Sequence, residues 1–222
     1  MAAILNETEN AIAFEPAESR VVLRNISWET YERMLEDLAD CSAPRLTYDQ
    51  GDLEIMSPQA KHERVNETIK LFIAVVSEEL AIEIQGLGST TFKREDAERG
   101  FEADSCFYVD KAHLIRGKDR LELPADPPPD LVFEVDITSS SLDKNSIFAQ
   151  LGVPEVWRYD GQTMEILIRS GDEGYTRSDA SSMLPFITGE VLVRFISEGN
   201  TLTRLEWFKS VRAWVRQHKS SR

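Results

Sequence analysis

The residues between 101 and 144 concentrate the side chains that could do chemistry. Two apolar segments, 101–109 and 131–137, carry carboxylates and read as strands. Successive side chains of a strand alternate between its faces. Phe101, Ala103, Ser105, Phe107 and Val109 would then share one face, with Glu102, Asp104, Cys106 and Tyr108 on the other. In the second segment Leu131, Phe133, Val135 and Ile137 oppose Asp130, Val132, Glu134 and Asp136. If the two strands are neighbours, Asp104 and Glu134 crowd one patch. Glu102 and Asp136 either join them or face solvent at the strand ends. Crowded carboxylates among apolar residues are costly unless one is protonated or a cation neutralises them. An all-oxygen donor set suits Mg2+ or Mn2+ rather than zinc.

Lys144 adds a cation to this picture. Ser139, Ser140 and Ser141 are good helix N-caps, which puts Lys144 in or near a first helical turn. A positive charge there opposes the helix dipole. It either pairs locally with Asp143 or aims back at the strand carboxylates. In the second case it could polarise a water or stabilise charge on a phosphorane-like transition state.

The elements that must position these groups are readable in outline. Ser27 caps a helix whose stripe is Trp28, Tyr31, Leu35 and Leu38. Residues 45–48 and 53–56 flank Asp49-Gln50-Gly51-Asp52 as a hairpin. A long helix over 60–83 carries Val65, Ile69, Phe72, Ile73, Val76 and Leu80 on its core face. His62 falls on that side, whereas Glu63 and Glu67 point away. Residues 89–93 read as a strand, and the prolines 127–129 lead stiffly into the strand at 131. A short helix over 141–151 ends at Gly152, and Asp160-Gly161 turns a hairpin between 156–159 and 163–169. Trp157 in that hairpin reads as sheet core rather than as a base-stacking platform. The last helix, 205–218, buries Trp207, Val211, Trp214 and Val215. Five basic residues against one acidic one in 206–222 either complement that helix's dipole or meet phosphates or an acidic partner. Residues 1–20 read as a flexible N-terminal segment and 21–222 as a single α/β domain with a mixed sheet.

Composition and missing motifs narrow the function. Lys and Arg number 25 against 39 Asp and Glu, a net charge of −14. That excludes a nucleic-acid binder held by a basic surface. Cys41 and Cys106 make no disulfide framework, and no secretory signal or membrane-length apolar run is present, so a cytoplasmic protein is expected. Gly86-Leu87-Gly88 lacks the third glycine of a dinucleotide loop, Gly117-Lys118-Asp119 is no phosphate loop, and no serine-hydrolase elbow occurs. His62-Glu63-Arg64-Val65-Asn66 has Asn where a second zinc-binding His would stand.

Four segments together carry a resemblance: Glu102-Ala103-Asp104; Pro127-Pro128-Pro129-Asp130-Leu131-Val132-Phe133-Glu134-Val135; Ser140-Ser141-Leu142-Asp143-Lys144; and Gly152-Val153-Pro154-Glu155-Val156-Trp157. They resemble a large bacterial family of restriction-endonuclease-like proteins within the PD-(D/E)XK nuclease superfamily, over residues 26–195. The resemblance implies a mixed central β-sheet flanked by helices on both faces, and metal-dependent phosphodiester hydrolysis. It makes Asp104 and Glu134 metal ligands, aided by the Val135 carbonyl, with Lys144 catalytic. His62 is the candidate for the polar residue that superfamily members often add from an early helix. Two departures stand out: Ala103 replaces the usual proline, and Asp136 occupies the usual lysine position, so the lysine has moved to the next helix. The expected function is a Mg2+- or Mn2+-dependent DNA endonuclease, weakly bound to DNA through metal and plausible as a homodimer. The alternatives are a catalytically inactive nuclease scaffold serving as an interaction protein, and a hydrolase of a small phosphodiester.

Overall fold

The computed structural model describes residues 18–39, 41, 43–137, 142–171 and 174–219. Its first element, β1 (Glu18–Leu23), begins inside the segment expected to be loose. Helix α1 (Trp28–Asp37) follows, its N-terminus closed by the Ser27 hydroxyl accepting from Thr30 N–H at 3.3 Å. Strands β2 (Arg45–Asp49) and β3 (Asp52–Pro58) form the expected hairpin, and α2 (Ala60–Leu80) is the long helix. Helix α2 stops three residues short of the expected end because Ala81 takes a left-handed conformation, φ 54°. Then come β4 (Gln85–Gly88), β5 (Thr91–Arg94), β6 (Arg99–Glu102), β7 (Ser105–Tyr108) and the single turn α3 (Ala112–Ile115). Beyond the prolines lie β8 (Leu131–Val135), α4 (Lys144–Gln150), β9 (Glu155–Tyr159), β10 (Met164–Arg169) and β11 (Tyr175–Ser178). Helices α5 (Gly189–Thr201) and α6 (Arg204–His218) complete the order.

The strands form two sheets rather than the one expected. The first, β1-β3-β2-β6-β5, is antiparallel; the second, β11-β10-β9-β8-β7-β4, is mixed, with β8 and β9 parallel. Helices α2, α5 and α6 cover one face of the second sheet, where Phe72, Phe133, Trp157, Phe195 and Trp207 are buried. The opposite face packs Val132 and Val156 against Phe148 of α4 and Phe92 and Phe101 of the first sheet. A third cluster seats Trp28 and Tyr31 of α1 on Leu46, Tyr48 and Leu53. Gly100 is required beneath it, because an added Cβ would collide with the Tyr31 hydroxyl. Trp157 is thus core, as its pattern indicates.

The segment read as one strand over 101–109 is two. Strand β6 belongs to the first sheet and β7 to the second, with a bend at Asp104 between them. The break shifts the side-chain parity by one residue. Phe101, Ala103, Cys106 and Tyr108 fall in one core, while Phe107 falls in the other. A one-residue offset exchanges the faces of everything beyond it, which is why unbroken alternation mislabels this stretch.

Helix α6 opens with a capping box in which Thr203 and Glu206 satisfy each other's backbone N–H groups. Its Arg212 and Arg216 pair with Glu79 of α2, at 3.2 and 2.7 Å, and Arg212 also with Glu78 at 2.8 Å. These two basic side chains therefore tie α6 to α2. Among the described residues, no helix is long and apolar enough to cross a membrane.

Candidate active site

Asp104 stands at the joint between the sheets, and that position fixes its surroundings. Strand β7 runs antiparallel to β8 with Ser105 opposite Phe133, so the residue before Ser105 arrives beside Glu134. The Asp104 N–H donates to Glu134 Oε1 at 3.2 Å, and the Val135 N–H donates to Asp104 Oδ2 at 2.6 Å. Both carboxylates are buried.

Helix α2 closes the site from the side. His62 and Asn66 are one turn apart and therefore share a helix face. His62 is fully buried, with Nε2 3.0 Å from Asp104 Oδ2. Asn66 pins the joint itself: its Nδ2 donates to the Asp104 carbonyl at 2.9 Å, and its Oδ1 accepts from the Ser105 hydroxyl at 2.7 Å.

Lys144 enters from the opposite direction as the first residue of α4. The cap is Asp143, whose side chain accepts from Ser146 N–H; Ser139, Ser140 and Ser141 lie outside the described residues. Lys144 does not pair with Asp143. Its ammonium donates to Glu134 Oε2 at 2.7 Å and stands 3.9 Å from Glu54 Oε1. Glu102 is not part of this cluster. Its carboxylate accepts from Leu46 N–H and the Thr91 hydroxyl within the first sheet, and burial raises its pKa. Asp136 sits at the margin, 3.0 Å from Arg20.

Three contributors escape a reading of motifs. Arg20 of β1 bridges Glu54, at 2.7 Å, to Asp136. Glu54 of β3 is buried, although it is the only acidic residue in the apolar run Leu53-Glu54-Ile55-Met56. A charge at an inward strand position was the available signal. Arg45 of β2 is buried too, and its guanidinium grips the Asp104 carboxylate through Oδ1 while donating to Glu63 Oε1 at 2.7 Å. Glu63, expected to point away from the core, is half exposed and meets Arg45 at the rim.

The electrostatics separate the two carboxylates. Burial acts to raise the Asp104 pKa, but the hydrogen bond with His62 and the charges of Arg45, His62 and Lys144 hold it below the usual carboxylate value. Burial pushes Glu134 up, helped by the Asp104 charge and opposed by Lys144. For Lys144, burial is outweighed by Glu134 and Asp104, so the ammonium is held protonated. The cluster sets five carboxylates, Glu54, Glu63, Asp104, Glu134 and Asp136, against three fixed cations, Arg20, Arg45 and Lys144. Among the described residues, no three His, Cys, Asp or Glu side chains already converge as a metal cage. The chemistry of the donor set nevertheless fits a hard divalent cation, since its donors are oxygens and its carboxylates outnumber its cations.

No curated protein matches the chain. Among solved structures, a crystal structure described as a "putative nuclease" from Anabaena variabilis is similar at 15% identity and a TM-score of 0.48, covering 73% of this chain and 98% of that one. The family Uma2, described as "Putative restriction endonuclease", matches residues 28–197. That span includes His62, Asp104, Glu134 and Lys144 and most of the chain, and the protein belongs to this family.

Proposed function

We propose that the protein is a divalent-metal-dependent endonuclease that hydrolyses DNA phosphodiester bonds. The observation that carries this reading is the buried pair Asp104 and Glu134, joined through the Asp104 N–H, with the Lys144 ammonium 2.7 Å from Glu134. Family membership supports the nuclease class. Asp104, Glu134 and the Val135 carbonyl would hold Mg2+ or Mn2+. A strand residue projects its N–H and C=O to the same side, and the Val135 N–H already points at Asp104. Bound there, the metal would lower the pKa of an attacking water and polarise the phosphate.

The chain's own residues supply the rest. Lys144 orients the water or stabilises charge that develops on the phosphate oxygens, in a buried setting where such an interaction is strong. His62, through its contact with Asp104, fixes the carboxylate's rotamer and keeps it ionised. Asn66 holds the Asp104 backbone so that the carboxylate cannot drift from Glu134. Cutting both strands would need two such sites, which a symmetric dimer would provide.

The net charge of −14 favours one rival, a scaffold that retains the fold without the chemistry. Nicking of supercoiled plasmid in Mg2+ or Mn2+ separates the two. The nuclease reading expects metal-dependent nicking by the wild type and its loss in Asp104→Asn. Equal nicking by both proteins, or none in either metal, counts against it.

A further inference from the structure

Both oxygens of Asp104 are already engaged. Oδ2 accepts from the Val135 N–H at 2.6 Å and faces His62 Nε2 at 3.0 Å, while Oδ1 is held by Arg45. A cation approaching Asp104 therefore competes with a protein donor for the carboxylate, and at Oδ1 that competitor is the Arg45 guanidinium, whose positive charge opposes it. The Val135 N–H belongs to a strand held by pairing with β9 and His62 is a fully buried residue of α2, so neither can leave cheaply. Arg45 is different. Its guanidinium already has a second carboxylate, Glu63 Oε1 at 2.7 Å, and Glu63 is half exposed at the rim.

We propose that Arg45 is a built-in counter-ion that a divalent metal displaces from Asp104, so that metal binding and the freeing of one guanidinium prong are a single event. In the metal-free protein, Arg45 compensates a buried carboxylate that would otherwise be costly. On displacement it stays anchored to Glu63 and presents its freed N–H groups at the half-exposed rim where Glu63 lies. A planar guanidinium offers paired donors that match phosphate oxygens, so the freed prong would meet the phosphodiester as the metal arrives. Arg45 is thus a positioning residue that couples metal occupancy to phosphate binding. This inference rests on the metal-binding reading of Asp104 and Glu134.

The test reads binding rather than cleavage. Calorimetric titration with Mn2+ should show Arg45→Met binding about tenfold tighter than the wild type, because a charge-assisted contact no longer competes. Wild-type protein modified with phenylglyoxal, with Arg45 followed by mass spectrometry, should show Arg45 shielded in EDTA and reactive in saturating Mn2+. The second measurement also decides the matter if Arg45→Met does not fold, and it distinguishes displacement from simple removal of a nearby charge. Unchanged or weaker Mn2+ affinity in a folded Arg45→Met would overturn the proposal. So would an Arg45 that stays shielded at saturating Mn2+, and in either case the metal site would stand. No Mn2+ binding by either protein overturns both this proposal and the metal reading.

Discussion

Asp104 and Glu134 are neighbours with opposite titration behaviour, and the difference lies in what surrounds each. Asp104 meets an imidazole and a guanidinium, so its pKa is held down; Glu134 is desolvated against one ammonium and its pKa is raised. Asp104 therefore contributes stability above its ordinary value of 3.8, and that stability is lost as pH falls through its lower folded value. Glu134 has the opposite sign: the fold bears a cost that grows as pH rises past 4.5 and is relieved on acidification. Replacing Lys144 by Met leaves Glu134 buried without its partner. We expect a loss of about 3–5 kcal/mol in urea unfolding at pH 7. The loss should be smaller at pH 5, where the orphaned carboxyl can take up a proton. The cysteines give a simpler check. Cys41 is exposed, whereas burial pushes the Cys106 thiol up to about 12. One fast-reacting thiol is expected with a disulfide reagent at neutral pH, and a second only on unfolding.

At the scale of elements, the site depends on a strand that is not continuous. The 101–109 segment alternates well enough to pass for one strand, and nothing in its composition reveals the bend at Asp104 where the chain changes sheets. The bend follows from tertiary pairing: β6 is claimed by β2 and β5, and β7 by β4 and β8. Asp104 and Glu134 were legible because a charge in an apolar strand is conspicuous and the strand neighbours happened to be the expected ones. Glu54, Arg45 and Arg20 were not, since they reach the site from elements 50 or more residues before Asp104. Helix α5 was also missed. Val191, Val193 and Phe195 suit a strand as well as a helix, and the Thr188 cap and packing on Phe72 settle the matter. Asn66 is the element-level hinge pin. Asn66→Ala leaves the Asp104 carbonyl and the Ser105 hydroxyl without their partner. Denaturant unfolding should show a loss of about 1–3 kcal/mol.

At the scale of the molecule, the charge of −14 constrains how DNA could be held. Arg212 and Arg216 of the basic C-terminal segment are committed to Glu79, and the site's own cations are committed to carboxylates. On the nuclease reading, phosphate binding would then come largely through a metal ion, in contrast to proteins that bind by counterion release from a basic face. Fluorescence anisotropy with a labelled duplex should accordingly show no binding in EDTA at physiological salt. Binding should appear in Ca2+, an oxygen-seeking cation, and weaken as salt is raised.

The most direct measurement is the single-turnover cleavage rate of a labelled DNA duplex as Mn2+ is raised, for the wild type, Asp104→Asn and Lys144→Met. The wild-type rate should climb from zero and saturate with metal. Asp104→Asn should show no metal-dependent rate, and Lys144→Met should saturate at a rate about 10²–10³-fold lower. Cleavage by all three at one rate, or a wild-type rate indifferent to metal, would contradict the assignment of Asp104, Glu134 and Lys144 as the hydrolytic centre.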